Sequence, residues 1–157
     1  MKLLFSEYPA AYDDYKFPYH IWAWQESKEE AEEMLAQGFL PTRFKINLWY
    51  LARSSRVNLA NFEESSENRR IIKNTNDFEH EIVPQSEFML TTEHLDIIQS
   101  FLSTINTTFS EAAIKRLFSS HLCQKVIVWK KDGKTVGLSP ILETDTSYFY
   151  WYGFYHP

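Results

Sequence analysis

The chain has 157 residues, of which 44% are hydrophobic and 17% aromatic, and its formal net charge is −5. A chain of that length buries roughly two-thirds of the surface it exposes when unfolded, and this composition excludes a disordered protein. The negative charge argues against an unselective nucleic-acid binder, which needs concentrated Lys and Arg, while the single Cys123 excludes an internal disulfide and a cysteine-built metal cluster.

No run approaches the roughly 20 apolar residues that span a bilayer. The opening Met1-Lys2-Leu3-Leu4-Phe5 meets Glu7 and Pro9 too soon for a signal-peptide core. A cytoplasmic protein with no membrane partner is expected.

From the N-terminus, Tyr12 to Trp24 is aromatic-rich and reads as extended, with Pro18 placing part of it at an edge or in a connection. Ser27 and Glu30 have capping-box spacing, acidic residues follow to Glu33, and Gly38 provides a stop, so a helix lies between them with Ala31, Met34 and Leu35 inward. From Arg43 to Phe62 the pattern changes to strands: Phe44, Ile46, Leu48 and Tyr50 alternate, then Val57 and Leu59. Ser65 caps a short helix through Lys73, on which Arg69, Arg70 and Lys73 lie within about one turn.

Phe78, His80 and Ile82 alternate along a strand ended by Pro84. Leu95, Ile98, Leu102 and Ile105 then recur at three and four, as an amphipathic helix requires, and Ile114, Leu117 and Phe118 mark the inner face of a second helix from Ser110 to Ser119. A meander follows: Cys123 to Lys130, the turn Lys131-Asp132-Gly133-Lys134, Thr135 to Glu143, and Ser147 to Tyr155. Val126 and Val128 alternate with Ile127 and Trp129, so the first of these strands is apolar on both sides and is expected to be central and covered by helices. The class is α+β, with a mostly antiparallel sheet and flanking helices in one domain spanning residues 1–157.

Several runs carry a family resemblance. Met34-Leu35-Ala36-Gln37-Gly38-Phe39 is similar to "LL-x-x-G-[FW]". Asn61-Phe62-Glu63-Glu64-Ser65-Ser66-Glu67-Asn68-Arg69-Arg70-Ile71-Ile72-Lys73 is similar to "F-x-P-S-x-S-Q-R-R-x-[LI]-[RK]". Asp77, Val83-Pro84 and Lys131-Asp132-Gly133-Lys134 with Tyr148 to Pro157 follow at compatible spacing. Together they resemble the arginyl-tRNA-protein transferases, including the bacterial leucyltransferase-like branch.

The resemblance implies a GNAT-like fold, with residues 1–64 as a family-specific region and 65–157 as the first half of the core. The helix that would complete this core falls beyond Pro157, so a sheet incomplete at its C-terminal end is expected. Where the family carries cysteines, some of which hold an iron-sulfur cluster in eukaryotic members, this chain has Ser6-Glu7-Tyr8, Trp49 and Ala52. His156 stands where the family has an Asp.

The activity implied is transfer of Arg or Leu from aminoacyl-tRNA to protein N-termini, tagging them for degradation. Charged tRNA and protein or peptide N-termini are the implied partners, and no cofactor is needed beyond that donor. Two alternatives stay open: an acetyl-CoA-dependent N-acetyltransferase, and a module that binds N-termini without transfer.

Arg69, Arg70 and Lys73 are candidates to hold tRNA phosphates, or else a solvated face paired with Glu63, Glu64 and Glu67. Tyr152 and Tyr155 are the candidate substrate contacts of an otherwise packed final strand, where Gly153 suggests a bulge. Tyr8, Tyr12, Tyr15, Tyr19, Trp22 and Trp24, with Asp13 and Asp14, either recognise an α-amine or pack the N-terminal region against the sheet.

No catalytic triad is visible. Glu143, Asp145 and His156 are proton acceptors by position, and nothing in the sequence chooses among them. His20, His80, His94, His121 and His156 have no metal-ligand spacing, so no metal is expected, and Cys123 reads as a small buried residue. An unpaired Ser147 to Tyr155 edge would favour a strand-paired homodimer.

Overall fold

A computed structural model describes residues 1–5, 21–42, 47–51 and 57–157. They belong to two compact units, residues 1–56 and 57–157. Each carries its own antiparallel sheet. The expected α+β class, with mostly antiparallel sheet and flanking helices, is the one observed.

In the first unit, β1 (Lys2–Phe5), β2 (Ile21–Trp24), β3 (Phe39–Pro41) and β4 (Leu48–Leu51) form a sheet in the order β1-β2-β4-β3. Ala23 and Trp49 pair across β2 and β4, and both are fully buried. The Trp49 indole N–H finds its acceptor in the Gln25 side-chain oxygen at 3.1 Å, a buried pair that satisfies both groups. The Phe44 to Tyr50 alternation is described only from its second half, in which Trp49, rather than Leu48 or Tyr50, is the buried residue.

Helix α1 (Glu30–Ala36) buries Met34 and Leu35, while Ala31 is only half-buried. The expected Ser27 cap does not form, because the helix begins at Glu30 with no side-chain cap. Glu30 instead reaches back: one carboxylate oxygen accepts from the Glu26 backbone N–H at 2.9 Å and the other from the Met1 amine. The Met1 amine holds the Glu30 carboxyl below its ordinary value, and Glu30 in turn raises the amine. Gly38, at φ 95°, ends the helix as expected, its N–H bonded to the Leu35 carbonyl.

The second unit opens with a correction. Val57 and Leu59 are not a strand: Leu59–Asn61 is one 3₁₀ turn, and both side chains are exposed. The Asn58 side chain accepts from Ala60 N–H at 3.1 Å, offering the backbone a local partner in place of a ladder. Helix α2 (Ser66–Asn74) forms as expected, with Ser65 Oγ accepting from the Asn68 N–H.

Strand β5 (Phe78–Pro84), helices α3 (Thr92–Thr104) and α4 (Glu111–Phe118), and strands β6 (Lys125–Lys131), β7 (Lys134–Glu143), β8 (Tyr148–Tyr150) and β9 (Phe154–Tyr155) complete the unit. The sheet order is β5-β6-β7-β8, with β9 also paired to β7. Thr91 and Ser110 cap α3 and α4. Asp132 and Gly133, both at positive φ, make the tight β6–β7 hairpin that an Asp-Gly pair favours.

The core lies between the helices and one sheet face: Ile98 and Leu102 of α3, then Ile114, Leu117 and Phe118 of α4, meet Val126, Val128, Leu138 and Phe154. Ile105, expected inside, is the exposed C-cap of α3, and Ile97 is buried instead. Strand β6 is central, and among the described residues of this unit helices pack on one of its faces rather than on both. Helices α3 and α4 pack on the Val126 and Val128 face, while Ile127 and Trp129 lie half-buried on the other. Phe78, His80 and Ile82 share that second face with them and are exposed.

Candidate functional site

The final strand is interrupted. Ile141 pairs with Tyr150 and Leu138 with Phe154, so Trp151, Tyr152 and Gly153 lie opposite only Ser139 and Pro140. One extra residue on one strand is a β-bulge, which bends the strand and re-aims its side chains. The long, unbroken aromatic edge that would pair with a second copy is therefore absent: β8 has three residues and β9 two, and short bulged edges resist pairing.

Tyr150 folds back from the bulge, and a Cβ on Gly153 would overlap its hydroxyl and come within 2.8 Å of its Cζ. The absence of a side chain at 153 makes room for the Tyr150 ring in this position. A second glycine does similar work on β7, where a Cβ on Gly137 would meet the Phe154 carbonyl oxygen at 2.9 Å and Trp129 at 3.4 Å.

These contacts assemble a polarised chain of donors. Trp129 Nε1–H donates to Ser139 Oγ at 3.1 Å, and Ser139 Oγ donates to Tyr150 Oη at 3.2 Å. Ser139 is 1% exposed, Tyr150 56%. The indole N–H occupies one lone pair of Ser139 Oγ, and when the Ser139 O–H donates to Tyr150 Oη the phenol O–H is free to donate outward. Lys125 sits beside this end of the sheet, ion-paired to Glu143 and 5.9 Å from the Tyr148 ring centroid. The bond from Glu143 pulls Lys125 above its ordinary value, so it stays charged.

The residues singled out from sequence are placed in two groups. Tyr152 is half-buried against the core, stacked on Phe154 at 5.6 Å and edge-on to Phe109 at 6.2 Å. Phe109 also lines a cleft of about 500 Å³ at the C-terminal end of α3, with Leu102, Ser103, Asn106 and Thr107. Tyr155 is exposed, its ring 4.7 Å from that of Phe101.

Arg69, Arg70 and Lys73 are exposed on α2. Arg70 binds Glu67 through two nitrogens, at 2.8 and 2.6 Å, and Arg69 donates to the Glu64 carbonyl at 2.6 Å. Of the positional proton acceptors, Glu143 is held by Lys125, His156 Nδ1 lies 3.0 Å from its neighbour Pro157 O, and Asp145 is exposed. Trp22 stands edge-on to Tyr50 at 6.3 Å, whereas Tyr8, Asp13, Asp14 and the other tyrosines of the expected aromatic pocket lie outside the described residues.

Sequence reasoning missed Tyr150 and Ser139. The available signals were a lone serine inside the apolar β7 run and a glycine three residues after Tyr150. Among the described residues, no group of three His, Cys, Asp or Glu is placed to hold a metal ion, and no helix is long and apolar enough to cross a membrane.

No protein-family model and no curated protein matches the sequence. Among solved structures, the chain is similar to the C-terminal DUF2156 domain of a protein from Agrobacterium fabrum assigned as a lysylphosphatidylglycerol synthetase. The identity is 17% over 86% of this chain and 44% of that one, with a TM-score of 0.48. The chain thus spans less than half the length of that structure.

Proposed function

We propose that the chain is part of an acyltransferase that takes an amino acid from charged tRNA and joins it to the N-terminal amine of a protein. The observation that carries this reading is the donor chain from Trp129 through Ser139 to Tyr150 at the bulge. Aminolysis of an ester needs a donor where the carbonyl oxygen becomes negative, and a pre-aligned hydroxyl supplies one without reorganisation. The order of β5, α3, α4, β6, β7 and β8 also agrees with the first half of a GNAT-type core.

In this reading the amine nitrogen attacks the aminoacyl carbonyl, and Tyr150 Oη–H stabilises the oxyanion. The C–N bond forms, the ester C–O bond breaks, and the proton lost by the amine ends on the departing ribose hydroxyl. Arg69 and Lys73 would bind tRNA phosphates, while Arg70 is held by Glu67. Glu67 accordingly raises the Arg70 guanidinium and falls below its own ordinary value.

The test is incorporation of labelled amino acid from a panel of charged tRNAs into peptides with varied N-termini. Transfer is expected, with Tyr150→Phe lowering kcat about 100-fold at unchanged KM, as for loss of one oxyanion donor. Transfer from acetyl-CoA alone would reassign the donor. Peptide binding with no transfer from either would leave an N-terminus-binding module.

A further inference from the structure

Helix α2 is anomalous in this fold: it has nine residues and none is buried. Isolated helices that short are marginal in water and usually persist by burying an apolar face. The face exists. At 100° per residue, Ile71 and Ile72 flank Asn68 on one side, with Arg69, Arg70 and Lys73 on the other. Ile71 and Ile72 are 48% and 50% exposed.

The same unit carries an exposed apolar surface close by in the chain. Phe78, His80 and Ile82 of β5 point away from Val83, which meets the core, and their β6 partners on that face are Lys131, Trp129 and Ile127. Phe78 is 39% and Ile82 51% exposed, and the His80 ring lies 5.5 Å from that of Trp129. Only Thr75, Asn76 and Asp77 separate α2 from β5. The turn is tight, since the Phe78 N–H bonds to the Thr75 carbonyl at 3.0 Å.

We propose that α2 is a hinged cover that closes onto the β5–β6 face of its own sheet, seating Ile71 and Ile72 against Phe78, His80 and Trp129. The dimensions match. A nine-residue helix is about 13 Å long, and Phe78 to Ile82 spans about 13 Å of strand. A three-residue connection is of ordinary length for a helix folding back over the next strand. Closure leaves Arg69, Arg70 and Lys73 on the outer surface, and Lys131, whose ammonium lies 4.9 Å from the Phe78 ring centroid, keeps Asp77 as its partner at 2.8 Å. The inference stands on these exposures and dimensions and not on the transferase reading.

Cysteine pairs in the full chain test it. Ile72→Cys with His80→Cys joins the proposed inner face to the sheet, and Lys73→Cys with His80→Cys is the outward control. Cys123 is buried and its thiol is pushed up to about 11, so it competes poorly for disulfide formation. With oxidised glutathione, the inner pair is expected to form an intramolecular disulfide at least about tenfold faster than the control, reflecting its higher effective concentration.

Equal rates, or no crosslink in either pair, would overturn the proposal. A disulfide-linked dimer would place α2 on a second copy and overturn it equally. A cysteine-free readout uses Ile71→Asp with Ile72→Asp: amide exchange in residues 69–74 should rise about tenfold while the core amides of β6 and β7 stay protected. Unchanged exchange would remove the cover.

Discussion

The hydroxyl of Tyr150 lies 3.2 Å from Ser139 Oγ, and Gly153 is the residue that makes room for it. A methyl group at 153 would push out a ring that is already half in solvent, so the loss should be chiefly that of one hydrogen bond and its packing. Gly153→Ala is therefore expected to destabilise the chain by about 1–2 kcal/mol. In a Tyr150→Ala background the same substitution should cost close to nothing. Urea unfolding of the four proteins of this cycle measures the coupling.

A second effect of this kind is buried in the first unit. Gln25→Leu removes the acceptor of the Trp49 indole N–H, both residues being almost inaccessible. Stranding that donor should cost about 1–3 kcal/mol, more than replacing the pair together as Gln25→Leu with Trp49→Phe would suggest from lost hydrogen bonding alone. Denaturation followed by tryptophan fluorescence compares them.

His94 should make the second unit sensitive to acid. Its Nδ1 accepts from the Thr91 N–H at 3.2 Å, while Thr91 Oγ1 accepts from the His94 N–H at 3.3 Å, and its ring stacks on Phe88 at 5.3 Å. Burial holds the imidazole below its ordinary value, against a smaller upward pull from Glu93. Below about pH 6.5 the unfolded chain takes up a proton that the folded chain still excludes. Stability is therefore full above that pH and falls as the pH drops through the lower folded value. His94→Ala should flatten this dependence and cost about 1 kcal/mol at neutral pH through the broken cap. Proton NMR of the His94 ring gives the folded midpoint directly.

Cys123 should be silent in the native protein. It is 2% exposed, and burial raises its thiol to about 11, with a smaller opposing effect from a backbone bond at Ile141. A thiol reagent at pH 8 should label it only at the rate of opening, and urea past the unfolding midpoint should bring labelling to completion within the mixing time.

Much of the fold was legible because its signals are local. Ser65 caps the helix it was expected to cap, Asp132-Gly133 makes the hairpin, and Ile114, Leu117 and Phe118 face the core, since each depends on neighbours within one or two turns. Ser27 failed as a cap because the helix begins at Glu30 with Glu29 at the cap position, and the Glu30 carboxylate accepts from the Met1 amine and the Glu26 N–H. Val57 and Leu59 alternate as a strand does, yet the intervening Asn58 turned the chain locally.

The candidate site was less legible. Gly153 hinted at a bulge, but Tyr150 was read as packing and Tyr152 as the substrate contact. Only the β7 register shows Tyr150 turned to Ser139 and Tyr152 turned to Phe154. The sequence by itself determined the α+β class, the Ser65 cap, the hairpin and the inner face of α4, because backbone preference and hydrophobic period are properties of short segments. Which sheet face the helices cover, where β8 gives way to β9, and which hydroxyl meets Ser139 were decided by the tertiary structure. Those depend on pairing between segments, and a shift of one residue there exchanges the two faces of a strand.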